Sequence, residues 1–218
     1  MTAVAASHPP AAVWAAALAA AALPGAPPCH VRSDDGRRRR VRLERFVGVA
    51  SPADEAVLSR ATGPVIDVGC GPGRMLAALG RRGVPALGVD VSPAAVELAR
   101  ASGGRALCRS VFDPLPGEGA WSTVLLLDGN VGIGGAPARV LRRAAGLLAP
   151  GGGVLVETGP PGLRDGCARV RLELGALVSD WFAWGVLGAG GVARVAAAAG
   201  LAVDERFTAG GRWFACLR

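Results

Sequence analysis

"VIDVGCGPGR", residues 65–74, decides how this chain is read. Val65, Ile66 and Val68 make an apolar strand interrupted by one acid, Asp67, and glycine then stands at 69, 71 and 73. Glycine at every second position makes a poor strand and a poor helix, because it costs backbone entropy and packs nothing. Between a strand and a helix beginning at Arg74, such a run reads as a turn that a ligand approaches closely. In open α/β sheets that place is outside the carboxyl ends of the strands, where the strand order reverses.

The surrounding pattern fits such a sheet. Strands are expected at 64–68, 85–89, 105–108, 122–127, 153–157, 201–206 and 212–217. Helices are expected at 74–82, 93–101, 136–148 and 190–199, with Ser92-Pro93 opening one and Gly83 and Gly200 closing two others. "SPADEAVLSRAT" starts another helix with a Ser cap and a proline in its first turn. Alternating strands and helices imply a mostly parallel sheet covered on both faces. The last two strands, joined through "TAGG", are expected to be antiparallel. Upstream, "AAVWAAALAAAAL" at 11–23 reads as an Ala-rich helix, and "HVRSDDGRRRRVRLERF" at 30–46 as a hairpin turning at Asp35-Gly36. Residues 158–187 break the rhythm and suggest an inserted hairpin. The expected division is an N-terminal helix and hairpin extension, 1–51, followed by one domain, 52–218, that carries the insertion.

The glycine spacing separates two nucleotide-binding readings. A dinucleotide loop has G-x-G-x-x-G, whereas here the third glycine arrives one residue early. Asp67-x-Gly69-x-Gly71-x-Gly73 resembles the first motif of the class I S-adenosylmethionine-dependent methyltransferases. "ALGVDVSP" at 86–93 and "VLRRAAGLLAPGGGVLVE" at 140–157 resemble later motifs of that family in the right order. The resemblance covers roughly residues 52–218. It implies a seven-stranded, mostly parallel Rossmann-like α/β sheet with its last strand antiparallel, and S-adenosyl-L-methionine as cofactor, leaving S-adenosyl-L-homocysteine.

It also implies site residues. Asp67, Gly69, Cys70, Gly71 and Gly73 form the loop against the cofactor. Asp90 accepts from the ribose hydroxyls, charge-assisted bonds roughly twice as strong as neutral ones, and Val91 packs on adenine. Family members commonly place an acid after the third strand to meet the adenine amino group; here that position is Ser110, beside Val111 and Phe112, with Asp113 as the alternative acid. Asp128 and Asn130, after the strand "VLLL", lie beside the transferred methyl group and are the candidate catalytic residues, with Glu157 next. Asp128 has no partner within its own motif to tune it as a base, so alignment of acceptor and methyl group is the expected means of catalysis. Asp128-Gly129-Asn130 is not the signature of methyltransferases that act on amino groups of bases or on protein amides.

Composition bounds the partners. The formal net charge is +7, yet all 24 basic residues are Arg and they are scattered, apart from Arg37–Arg40. A short run of this kind is usually a solvated face, which argues against a nucleic-acid acceptor. The five Cys form no C-x-x-C pair, which suits free thiols in the cytoplasm and no metal. The 11–23 run lacks a preceding cationic segment and is too short to span a bilayer. The expected acceptor is a small molecule, apolar or aromatic, walled by Trp14, Trp181, Phe182 and Trp184 under a cover made of the Ala-rich helix and the insertion. Two other readings stay open on sequence alone, a non-catalytic S-adenosylmethionine-binding protein on the same fold and a nucleotide-dependent oxidoreductase.

Overall fold

The computed structural model describes residues 7–21 and 23–218; residues 1–6 of the expected extension and residue 22 of the Ala-rich helix lie outside the described residues. Among the described residues, twelve strands form two sheets. The larger has seven strands in the order β11-β12-β7-β6-β3-β4-β5. These are β3 (Val65–Val68), β4 (Ala86–Asp90), β5 (Ala106–Cys108), β6 (Trp121–Leu126), β7 (Leu148–Thr158), β11 (Val203–Ala209) and β12 (Arg212–Leu217). β3 to β7 pair in parallel, while β12 runs antiparallel to both β7 and β11. Gly210 and Gly211, both with positive φ, make the tight turn between the last two strands. The order reverses between β3 and β6, so the glycine loop after β3 opens at the switch point.

The period of β6 explains the core. Val124 and Leu126 point into one layer with Val140, Leu141 and Leu147 of α6 (Pro137–Leu147) and Val192, Val195 and Ala196 of α7 (Val192–Ala197). Leu125 and Leu127 point into the other with Val57 and Leu58 of α3 (Pro52–Leu58) and Met75 and Leu79 of α4 (Arg74–Arg81). A strand that is apolar at both parities must be covered on both sides. α5 (Pro93–Ala101) begins as expected at Ser92, whose hydroxyl accepts from the Ala95 amide. α3 begins with a capping box in which Ser51 and Asp54 satisfy each other's backbone amides.

The second sheet assembles what the sequence presents as two separate pieces. β1 (Cys29–Ser33) and β2 (Arg38–Arg40) form the expected hairpin, and β8 (Gly166–Leu174), β9 (Leu177–Val178) and β10 (Phe182–Val186) come from the insertion. β1 pairs antiparallel with β8, giving the order β10-β8-β1-β2 with β9 beside β8. The extension and the insertion therefore form one cap. α1 (Pro10–Ala20) packs on the cap's inner face through Val13 and Ala17, against Cys29, Leu172 and Leu174. Where the sequence suggests only the end of a hairpin, residues 44–47 make a single helical turn, α2 (Glu44–Val47), whose Phe46 ring meets Trp14 edge-on at 5.1 Å. Among the described residues, no helix is long and apolar enough to cross a membrane.

Candidate active site

The three glycines turn out to have three different reasons. All have positive φ, at 71°, 53° and 87°. A side chain at Gly69 would run into the Asn130 amide, and one at Gly73 would meet the Ala99 Cα at 2.9 Å, where α4 and α5 pack. At Gly71 a Cβ meets nothing within 4 Å. Only Gly71, then, borders open space of the kind a ligand fills; the other two are required by the protein's own packing.

The acids around this space differ in state. Asp67, 3% exposed at the end of β3, has no side-chain hydrogen-bond partner among the described residues. Burial pushes its carboxyl up to about 7, against the pull of Arg74. Asp90, at the tip of β4, accepts from the Gly71 amide at 2.9 Å and from the Ser92 amide at 2.9 Å. Burial raises its pKa too, and the backbone bonds partly offset this. A carboxylate offers about four lone-pair positions, so Asp90 keeps acceptor capacity for two hydroxyls. Val91 beside it is 61% exposed, an apolar surface at the rim. Cys70 is buried beneath the loop, and burial raises its thiol pKa strongly.

Beyond β5, Ser110 and Asp113 close a turn on each other. The Ser110 hydroxyl accepts from the Phe112 amide at 3.2 Å, and Asp113 accepts from the Ser110 amide at 3.3 Å. Val111 is buried in the core, and the Phe112 ring lies under Arg139, 3.9 Å from centroid to guanidinium carbon. The rim after β5 therefore presents turn backbone and the Ser110 hydroxyl more than an open aromatic wall.

Asp128 corrects the picture of an isolated acid. Its Oδ2 lies 2.7 Å from Arg74, and its Oδ1 lies 3.3 Å from Arg212 and 3.5 Å from Arg45. Asp54, the capping-box acid, pairs with Arg74 at 3.1 Å and Arg212 at 2.6 Å. Glu157, at the end of β7, takes two nitrogens of Arg212 at 2.8 and 2.6 Å and accepts the Asp128 amide at 2.6 Å. Three acids and three arginines thus form one charge cluster at the carboxyl ends of β3, β6 and β7. Burial pushes the Asp54 carboxyl up, but hydrogen bonds and charge from Arg74, then Arg212, outweigh it and hold the group well below the usual carboxylate range. Burial works against both guanidiniums, and Asp54 with Asp128 at Arg74, and Glu157 with Asp54 at Arg212, outweigh it and raise their pKa.

Asp128 is also the only non-glycine with positive φ among the described residues, at 55°. Two residues on, Asn130 donates its side-chain amide to the Val68 and Gly69 carbonyls at 2.8 and 2.9 Å. This pair, expected beside the reacting atoms, thus holds the β6 tip against the glycine loop. Of the expected aromatic wall, Trp184 seats against the 129–133 loop, with its Nε1 3.7 Å from where a Gly129 side chain would begin. Phe182 meets Trp184 edge-on at 6.0 Å. Trp181 turns to the other side of the cap, its ring under Arg171 at 4.9 Å. Sequence reasoning missed Arg45, Arg74, Arg212 and Asp54. Arg74 and Asp54 carried faint signals, one opening a helix at the glycine loop and one closing a capping box, but Arg212 carried none.

A family model described as a methyltransferase domain matches residues 36–204. No curated protein matches the chain by sequence. Among solved structures, a SAM-dependent methyltransferase from Bacteroides fragilis in complex with S-adenosyl-L-homocysteine is similar, with a TM-score of 0.82 at 23% identity, covering 98% of this chain and 97% of that one. The sugar N-methyltransferase KedS8 from Streptoalloteichus has a TM-score of 0.58 at 21% identity, covering 81% and 88%. The 1,6-didemethyltoxoflavin-N1-methyltransferase of Burkholderia thailandensis has 0.52 at 20%, covering 75% and 72%. At these identities the likeness is one of fold. With the family model spanning most of the sheet and its glycine loop, the chain belongs to the methyltransferase-domain family and has the class I Rossmann-like fold.

Proposed function

We propose that this protein transfers a methyl group from S-adenosyl-L-methionine to a small-molecule acceptor held between the cap and the carboxyl ends of β6 and β7. The observation that carries this reading is the cradle over Gly71, open on the ligand side and flanked by the Asp67 carboxyl, which no protein group among the described residues hydrogen-bonds, and by Asp90 with acceptor capacity to spare. These residues fit the group. Asp90 would take the ribose hydroxyls, Val91 one face of adenine and Ser110 an adenine edge. The Asp67 carboxyl would meet the cationic amino end, which stabilises its ionised form. When bound, the cofactor would supply an electrophilic methyl on a sulfonium, whose C–S electrons would stay on sulfur as the acceptor takes the methyl.

The protein's own part is positioning. Asn130 and the charge cluster hold the β6 tip against the glycine loop, and Trp184 closes the acceptor side, so acceptor and methyl group meet in line. Both Asp128 oxygens are engaged by arginines, which supports an anchoring carboxylate over a proton acceptor. An acceptor that arrives protonated loses its proton to water or to a group of its own. The sugar and toxoflavin methyltransferases of similar fold favour a small-molecule acceptor, and the free thiols favour a reducing, cytoplasmic setting. Calorimetric titration with S-adenosylmethionine, S-adenosylhomocysteine and NADH tests the reading. Binding of the first two and not of NADH is expected; NADH binding alone, or no binding of either sulfur compound, overturns it.

A further inference from the structure

The cap has a second face, and arginine crowds it. Strand register places Arg38, Arg32 and Arg171 in one row across β2, β1 and β8, with Arg40, His30 and Glu173 in the adjacent row. Arg169 follows on the other side, opposite Ala183. Its arginine rows lie on the side opposite α1 and Trp184, and only at the β10 end do Ala183 and Cys167 of this face meet the 129–135 loop, at Gly135. Like charges directly across strands are destabilising, yet three arginines stand side by side here. One carboxylate holds them: Glu173 takes Arg32 at 2.7 Å, Arg38 at 3.0 Å and Arg171 at 2.9 Å, and is itself 7% exposed beneath them. Burial raises its pKa, but the hydrogen bonds from Arg32 and Arg171 prevail and keep it ionised. Arg40 and Arg169 have no ion-pair partner among the described residues. On this face of the strands, five Arg against one Glu leave a net +4.

We propose that this outer face of the cap docks an acidic protein surface. Planar guanidiniums steadied from below, with their outer N–H groups free, suit bidentate pairing with carboxylates. The charges spread over three strands, about 10 Å at ~4.8 Å per strand, which is wide for a single small anion. A second copy of this chain, applied face to face, would set +4 against +4. Single-stranded nucleic acid binds on open aromatic platforms, and the Trp181 ring on this face is covered by Arg171 at 4.9 Å. Carboxylates of an acidic protein pair with these guanidiniums without a stacking surface, and nucleic-acid phosphates, which attract the same charge, are the rival that the test measures.

The test uses poly-L-glutamate as the acidic probe and a single-stranded oligonucleotide of equal charge as its rival, at physiological salt. Arg40→Gln with Arg169→Gln removes two unpaired charges from the face; Arg105→Gln with Arg206→Gln removes two exposed, unpaired charges elsewhere. Poly-L-glutamate affinity is expected to fall about tenfold in the first double variant and less than about twofold in the second, with S-adenosylhomocysteine binding unchanged in both. Equal losses in the two variants would reduce the effect to net charge and overturn the proposal. Tighter binding of the oligonucleotide than of poly-L-glutamate would overturn it as well, as would a self-associated wild type that only the first variant disperses.

Discussion

Asp128→Asn separates an anchoring carboxylate from a proton acceptor. Asp128 has φ of 55°, and asparagine is among the few residues that enter this region readily, so the backbone of the β6 tip survives the change. What is lost is one negative charge from a cluster in which Asp54, Asp128 and Glu157 balance Arg45, Arg74 and Arg212. Breaking a buried ion pair by removing one partner costs about 3–5 kcal/mol. Arg74 keeps Asp54 at 3.1 Å, and Arg212 keeps Asp54 and Glu157, both at 2.6 Å. The asparagine carbonyl also still accepts one bond, so the expected loss of stability falls to about 2–3 kcal/mol. With a urea m-value of about 2 kcal/mol/M, the unfolding midpoint falls by about 1–1.5 M. Turnover is expected to fall less than about 30-fold, below the roughly 10²–10⁴-fold typical of a lost general base. Urea titrations followed by fluorescence, with turnover at saturating cofactor over about pH 6–9, check both arms. An unchanged midpoint, joined to a turnover loss above about 100-fold and the disappearance of one ionisation from the pH profile, would refute the anchoring role and make Asp128 the base.

The glycine loop divides by position. Gly71→Val places a branched side chain in the open cradle at a φ of 53°, so some backbone strain is expected but no packing clash, and the folded protein is expected to lose S-adenosylhomocysteine binding, whereas Gly73→Val also meets Ala99 backbone and is expected to prevent stable folding; circular dichroism with calorimetry distinguishes them, and unchanged affinity in Gly71→Val would move the site. Asp90→Ala removes about two charge-assisted bonds and should weaken S-adenosylhomocysteine by about 30-fold or more, so a loss under about threefold would leave Asp90 a helix-start acid. The unliganded protein should lose stability in both pH directions. Asp54 and Glu173, held low, contribute stability that is present above about pH 4 and lost as pH falls. Asp67, raised from 3.8 to about 7, makes stability fall as pH rises from about 4 to 7, with a ceiling of about 4 kcal/mol. Asp67→Asn should flatten that upper limb in urea titrations, and an identical limb in the variant would mean that Asp67 is not the group responsible.

The parallel sheet was legible because its signals are local. Ser92-Pro93 opens α5, Gly210-Gly211 turns β11 into β12, and the alternation of apolar runs with helical periods depends on residues a few positions apart. The glycine loop was legible as a ligand turn for the same reason, though not the division of labour inside it. That Gly69 makes room for Asn130 and Gly73 for Ala99, leaving Gly71 alone to border open space, depends on segments that are remote in the chain. The cap is a stronger case. A hairpin at 29–40 and an insertion at 166–186 each leave strand edges open, and nothing in either stretch says that Val31 will pair with Leu172. The partners of Asp128 lie further still from local pattern: Arg212 is 84 residues away from it and 158 from Asp54. Charge and hydrogen bonding act over a few ångströms of space, so which acid meets which arginine was settled only when the sheet order brought the ends of β3, β6, β7 and β12 side by side.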